Sequence, residues 1–146
     1  MAQFEPYLSF NGTCAEAMRF YEKTLGAKME MSMTYGEAPP MPGQPAPSDE
    51  AAERIMHASM TLDGHRIMAA DTPPDMPFEG MKGITVSLAY PDAAKGRSIF
   101  EALSAGGTVT MPYQKTFWAD GFGMCTDKFG TPWMVNAGDA GGGAEK

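Results

Sequence analysis

The chain has 146 residues, 43% of them hydrophobic, and carries a formal net charge of −7. That length suits a single domain able to bury roughly two-thirds of its unfolded surface. The acidic balance speaks against nucleic acid, which needs basic patches to displace counterions, and no apolar run approaches the roughly 20 residues that cross a bilayer.

The N-terminus, "MAQFEPYLSF", lacks a basic segment followed by an apolar one, so no export signal is visible. Cys14 and Cys125 stand alone without metal-type spacing. Together these features lead to the expectation of a reduced, cytoplasmic protein. Most of the 14 methionines are expected to fill the core. The negative charge could favour a cationic guest, but a solvated acidic surface is the commoner explanation.

"PYLSF" reads as a short strand, and "NGTCAEAMRFYEKTLGAK" follows as a helix. Thr13 and Glu16 have capping-box spacing, in which each side chain can satisfy the other's orphan backbone donor. Cys14, Ala17, Met18, Tyr21 and Leu25 fall on one face of that helix, and Gly26 ends it. "AKMEMSMTY" alternates as a strand. Five prolines between Pro39 and Pro47 break any regular element, so residues 37–53 read as a mobile loop, either a lid or an insertion.

"RIMHASMTLDGHRIMAAD" reads as a hairpin closed by Asp63 and Gly64 in a type I′ turn. That turn sets Leu62 opposite His65, Met60 opposite Ile67 and Ser59 opposite Met68. One face is then apolar, and the other carries His57, Ser59, Thr61, Arg66, Met68 and Ala70. "GITVSLAY" is the next strand. A helix follows, capped by Asp92, with Ile99, Phe100 and Leu103 inward, and Gly106 and Gly107 stop it. "TVTMPY", "GFGMCTD" and "TPWMVN" complete the strands.

Strand–helix–three strands thus occurs twice, at a period of about seventy residues, which means two halves of one domain rather than a solenoid. The expected organisation is one α+β domain over 1–137. Its first module spans about 4–72, with the proline-rich loop at 37–53, and its second about 82–137. A flexible tail is expected over 138–146.

A doubled βαβββ module with "FYEKTLG" in its first helix resembles the vicinal oxygen chelate superfamily, which includes glyoxalase I, extradiol dioxygenases and the fosfomycin and bleomycin resistance proteins. The resemblance is tighter to its PhnB-like (YjdN-type) branch, through "PYLSFNG", "IMHASM", "DGHRIMAAD" and "QKTFWADGFGMCTDKFGTPWMVN", and it spans about residues 4 to 137. It implies cupped mixed sheets around a ligand cavity, often with modules paired across a dimer, so a homodimer is expected. In the metal-dependent members, His, Gln or Glu side chains on the first and fourth strands of each module hold a divalent ion, which acts as a Lewis acid on vicinal oxygens. Members of the branch have been labelled demethylubiquinone methyltransferases. This sequence has no glycine-rich turn of the kind a methyltransferase needs: "GFG" at 121–123 is too short and lies in an antiparallel region.

Counted from the glycine turns, the fourth-strand ligand positions fall on Met68 and Met134. The first-strand positions fall near Pro6 or Tyr7 and near Gly83 or Thr85. Thioethers suit soft ions such as Cu(I), not hard divalent ones. No metal and no cofactor is therefore expected at the usual place. The alternative is a relocated divalent ion such as Zn, Ni or Mn beside His57, with Glu53, Asp71 and His65 nearest in sequence.

His57 faces the cup beside Ser59 and Met68, where imidazole can act as a general base or orient a ligand, or simply bond across the sheet. Tyr7 or Ser9 is expected to add polar lining, and Asn136 shares the face of Met134. Trp118, with Phe117, is expected at the cavity mouth or an interface, and Trp133 in the core. Cys14, at a helix N-terminus but on its apolar face, reads as a buried inert thiol. Two functions remain open: a metal-free protein that binds a small organic ligand, and an enzyme using His57 or a displaced metal.

Overall fold

The computed structural model describes residues 2–39, 42–43 and 45–138. The expected tail beyond residue 138, and residues 40, 41 and 44 of the proline-rich segment, lie outside the described residues. The chain forms two compact units, Met1–Gly80 and Met81–Lys146.

The first unit runs β1 (Tyr7–Phe10), α1 (Cys14–Leu25), β2 (Lys28–Thr34), α2 (Asp49–Glu53), β3 (Ile55–Leu62) and β4 (His65–Asp71). The second runs β5 (Val86–Tyr90), α3 (Ala93–Ser104), β6 (Thr108–Gln114), β7 (Gly121–Thr126) and β8 (Pro132–Ala137). Each unit is one open four-stranded sheet, ordered β1-β4-β3-β2 and β5-β8-β7-β6. In each, the first and last strands pair in parallel and the other pairs are antiparallel. This is the doubled α+β module read from the sequence. In neither unit does a helix lead from a strand directly to its parallel neighbour, which is the arrangement a nucleotide-type methyltransferase fold requires.

The β3–β4 hairpin has the expected register, Leu62↔His65, Met60↔Ile67 and Ser59↔Met68. Asp63 and Gly64 both adopt positive φ, 50° and 84°, as a type I′ turn demands. Register decides which side chains meet α1. Leu8, Phe10, Ala58, Met60 and Ala69 are buried on one face of the sheet, and Cys14, Ala17, Met18 and Tyr21 are buried on the helix that packs on β3 and β4. Fully burying Met18 and Met60 contributes about 1.5–3 kcal/mol each before the entropy of ordering them. In the second unit, Ile99, Phe100 and Leu103 of α3 are buried, as are Trp133, Val135 and Ala137 of β8, with α3 packed on β7 and β8.

The structure corrects the expected start of α1. Thr13 sits at φ −109°, ψ 11° and makes no side-chain cap bond, since capping requires a more extended backbone there. A carboxylate from another element takes its place. Asp71, at the end of β4 and only 3% exposed, accepts from Gly12 N (2.8 Å) and Cys14 N (3.0 Å) on Oδ1 and from Ile55 N (3.0 Å) on Oδ2. The cap at the second helix is as expected: Asp92 accepts from Lys95 N at 2.9 Å.

The segment 37–53 is also not wholly a loop. Its last five residues form α2, where the Ser48 hydroxyl accepts from Ala51 N. The pairing continues past the ends of β2 and β3, through Tyr35 N to Arg54 O and Gly36 N to Ala52 O. Helix forms because the prolines end at Pro47, leaving "SDEAAE" with a cap and acidic first-turn residues. In β6, Pro112 falls on an edge strand within an irregular stretch between Met111 and Gln114, where no ladder bond is lost.

Candidate functional site

The face of the first sheet turned away from α1 carries an open groove of about 350 Å³, lined by Glu30, Met31, His57, Ser59, Arg66 and Met68. Alternation along β3 puts His57 and Ser59 on this face, and the hairpin register sets Met68 opposite Ser59 and Arg66 opposite Thr61. β2 contributes through a register shift between Met29 and Met31. Met29 pairs with Met60 and Met31 with Ser59, so Glu30 is the extra residue. A bulge of this kind turns consecutive side chains toward one face, which brings both Glu30 and Met31 to the groove.

Two polar clusters organise it. Arg66 Nε donates to Glu30 Oε1 at 2.8 Å, Arg66 NH1 donates to Glu5 Oε2 at 3.1 Å, and the Ser59 hydroxyl donates to Glu30 Oε1 at 3.2 Å. The Arg66 guanidinium, chiefly through its hydrogen bond, holds the Glu30 carboxyl below the usual glutamate range. On the other side, Tyr7 reaches from β1 past β4 to β3, placing its hydroxyl 3.0 Å from His57 Nδ1 with the rings tilted by 43°. Burial, then the nearby Cys14, pushes the Tyr7 hydroxyl above its ordinary value. His57 Nε2 has no hydrogen-bond partner among the described residues.

Of the expected site residues, His57, Ser59 and Met68 line this groove, and Tyr7 stands behind His57. Ser9 is exposed on β1 and is not among the lining residues. Met134, Asn136 and Trp118 belong to the second unit. There Met134 pairs with Ser87 and Met124, and Asn136 pairs with Ala89 and Phe122. Trp118 lies edge-on to Phe122 at 5.1 Å, and Phe117 edge-on to Trp118 at 4.8 Å. Asn136 Oδ1 is buried with no hydrogen-bond partner among the described residues. Trp133 is in the core, its Nε1 donating to Asp127 Oδ2 at 2.8 Å.

Sequence reasoning misses Glu30, Met31 and Arg66 as lining. The hairpin register puts Arg66 on the correct face, but nothing local marks the bulge at Glu30.

The register shows which first-strand residues lie opposite Met68 and Met134. Tyr7 pairs with Met68. In the second unit β5 begins at Val86, so Gly83 and Thr85 precede the strand, and Ser87 is the residue opposite Met134. A phenol, an alcohol and two thioethers do not fit a hard divalent ion.

The alternative donors beside His57 do not converge on it. Both oxygens of Asp71 are taken by backbone amides, while Glu53 and His65 are exposed at the end of α2 and beside the turn. Among the described residues, no three His, Cys, Asp or Glu side chains are grouped to hold a metal. Cys14 is buried, and burial, then the charge of Asp71, pushes its thiol up to about 12.

The geometry agrees with what this chain resembles. The model of the Glyoxalase/Bleomycin resistance protein/Dioxygenase superfamily matches residues 3–135. Protein YjdN of Escherichia coli (strain K12) is 38% identical over 136 residues, covering 90% of this chain and 92% of that protein. The crystal structure of protein PA1353 from Pseudomonas aeruginosa is 41% identical, with a TM-score of 0.87, covering 94% of this chain and 98% of that one. A Bacillus cereus PhnB protein, described as a putative 3-demethylubiquinone-9 3-methyltransferase, shares the fold at 23% identity and a TM-score of 0.74, over 93% of this chain and 99% of its own. The chain is therefore a member of the glyoxalase/bleomycin resistance protein/dioxygenase superfamily, related to YjdN.

Proposed function

We propose that this chain is a binding protein that holds a small, partly apolar organic molecule in the groove of its first unit, without a divalent metal at the superfamily's usual positions. The observation that carries this reading is the strand register, which sets Tyr7 against Met68 and Ser87 against Met134. A hard divalent Lewis acid needs carboxylate, carboxamide or imidazole donors there, which a neutral phenol and alcohol do not replace, whereas thioethers offer soft, polarisable walls suited to packing on carbon and aromatic surfaces. In this reading the protein acts as a homodimer, as its resemblance to the superfamily implies, and in the cytoplasm, where its two free cysteines stay reduced. Among the described residues, no helix is long and apolar enough to cross a membrane.

The test joins two measurements. Purified protein is analysed for metal content and melted with and without Ni²⁺, Zn²⁺ and Mn²⁺, with no stoichiometric metal and no shift in Tm expected. Methyl-labelled methionine NMR then follows a library of neutral fragments, with Met31 and Met68 resonances moving first. A stoichiometric divalent ion, or fragments that leave both methyls unmoved, would overturn the proposal.

A second reading has a specific observation in its favour. His57 bonds to a side-chain hydroxyl rather than to backbone, and its Nε2 is left for a ligand, which is what an acid–base residue needs. Turnover of a groove-binding compound by the wild type but not by His57→Phe would favour that enzyme reading.

A further inference from the structure

We infer that His57 presents Nε2–H into the groove as the hydrogen-bond donor for a ligand oxygen, in a tautomer set by the Tyr7 hydroxyl, and that the ligand is a neutral molecule pairing a carbonyl-type acceptor with an aromatic or apolar body. This rests on the groove being the ligand site.

The direction of the 3.0 Å Tyr7–His57 contact follows from the two groups. A phenol is a good donor with a weakly accepting oxygen, and the unprotonated imidazole nitrogen is a strong acceptor. The Tyr7 hydroxyl keeps its proton at neutrality, because burial raises it further above its ordinary range. It has no other hydrogen-bond partner among the described residues. The proton therefore points to Nδ1, and in the neutral ring the other nitrogen carries its own hydrogen. Nε2–H then faces the groove beside Ser59 and between β2 and β4, whose Met31 and Met68 supply the walls.

The surrounding charges narrow the ligand class. Arg66 is already shared between Glu30 and Glu5, so no uncompensated cation remains to hold an anion. An ammonium group would meet a donor at His57, and the Glu30 carboxylate in the lining is already held by Arg66 and Ser59. A neutral oxygen acceptor satisfies Nε2–H, and thioethers pack well on an aromatic ring. Tyr7 is in this scheme a positioning residue: it acts through His57.

Long-range ¹H–¹⁵N NMR of the free protein at pH 7.5 reads the tautomer directly. The expected result is Nε2–H with a hydrogen-bonded, unprotonated Nδ1, whose resonance moves in Tyr7→Phe while the methionine methyl spectrum stays folded. A Nδ1–H or doubly protonated ring overturns the inference. Acetophenone and ethylbenzene then separate the donor from the groove. Acetophenone is expected to shift the Met31 and Met68 methyls and the Nε2–H together, and to bind about three- to ten-fold more weakly to Tyr7→Phe or His57→Phe. If ethylbenzene moves the same methyls equally well and both variants bind acetophenone unchanged, the groove stands and the donor role falls. If neither probe moves any groove methyl, the ligand assignment and the groove reading fall together.

Discussion

Asp71 is the residue on which the first unit's geometry turns, and its substitution is the most direct test of that reasoning. Its carboxylate joins the β1–α1 corner through Gly12 and Cys14 to the start of β3 through Ile55, and Tyr35 donates to its backbone oxygen at 2.8 Å. β1, β3 and β4 carry Tyr7, His57 and Met68, so this one carboxylate holds the strands that build the groove. Asp71→Asn keeps one acceptor oxygen. If that oxygen serves Gly12 and Cys14, the new NH2 faces the Ile55 amide, and a charge-assisted bond is replaced by a donor set against a donor. Loss of a hydrogen bond to a charged group costs about 1.5–3 kcal/mol, and the opposed donor adds up to about 1 kcal/mol more, so about 2–4 kcal/mol is expected. Asp71→Ala strands three amides, at about 3–5 kcal/mol once water has satisfied part of the loss. Against a typical total of about 5–15 kcal/mol, that brings the unit near its threshold. Urea unfolding followed by circular dichroism should show the Asp71→Asn midpoint falling by about 1–2 M at unchanged slope. A fall below about 0.3 M, or an alanine variant no worse than the asparagine one, would refute the account of Asp71 as a three-way staple.

Two further predictions concern titration and reactivity. Glu30 has its folded pKa lowered by Arg66, so the contribution of this pair is present above the ordinary glutamate value and is lost as pH falls through the folded one, below about pH 4.5. Carboxyl-carbon NMR should find Glu30 titrating below the other glutamates and returning to their range in Arg66→Met. A wild-type Glu30 that titrates with the rest would remove the pair from the groove's architecture. Cys14 and Cys125, pushed to about 12 and about 11 mainly by burial, should resist Ellman's reagent in the native protein at pH 8 and react fully in urea. Rapid labelling of either thiol in the native state would contradict the burial of Cys14 on α1 and of Cys125 on β7.

Legibility followed the range of the interactions involved. The β3–β4 register was readable because a two-residue turn with two positive-φ positions leaves one way to pair the strands, and this placed His57, Ser59, Arg66 and Met68 on one face. The core face of α1 was equally readable, since Cys14, Ala17, Met18 and Tyr21 follow the helical period. The cap of α1 was not. Thr13 and Glu16 have the spacing of a capping box, but Asp71 is 57 residues from the Cys14 amide it serves, and nothing near Thr13 announces it. Asp127 performs a similar service in the second unit, accepting from Phe129 N, Thr131 N and Trp133 Nε1, and its sequence looks like an ordinary turn.

By itself, then, the sequence determined the doubled βαβββ order, the faces of the hairpin and the thioethers at Met68 and Met134, because strand period, turn chemistry and residue identity are local properties. Tertiary structure decided what surrounds them. The bulge at Glu30 arises from how β2 meets β3, and the Tyr7–His57 contact from a parallel pairing of β1 with β4 that no neighbour in sequence specifies. Non-local pairing chooses which polar groups meet, and in this protein it is those meetings, more than the residue types, that give the groove its chemistry.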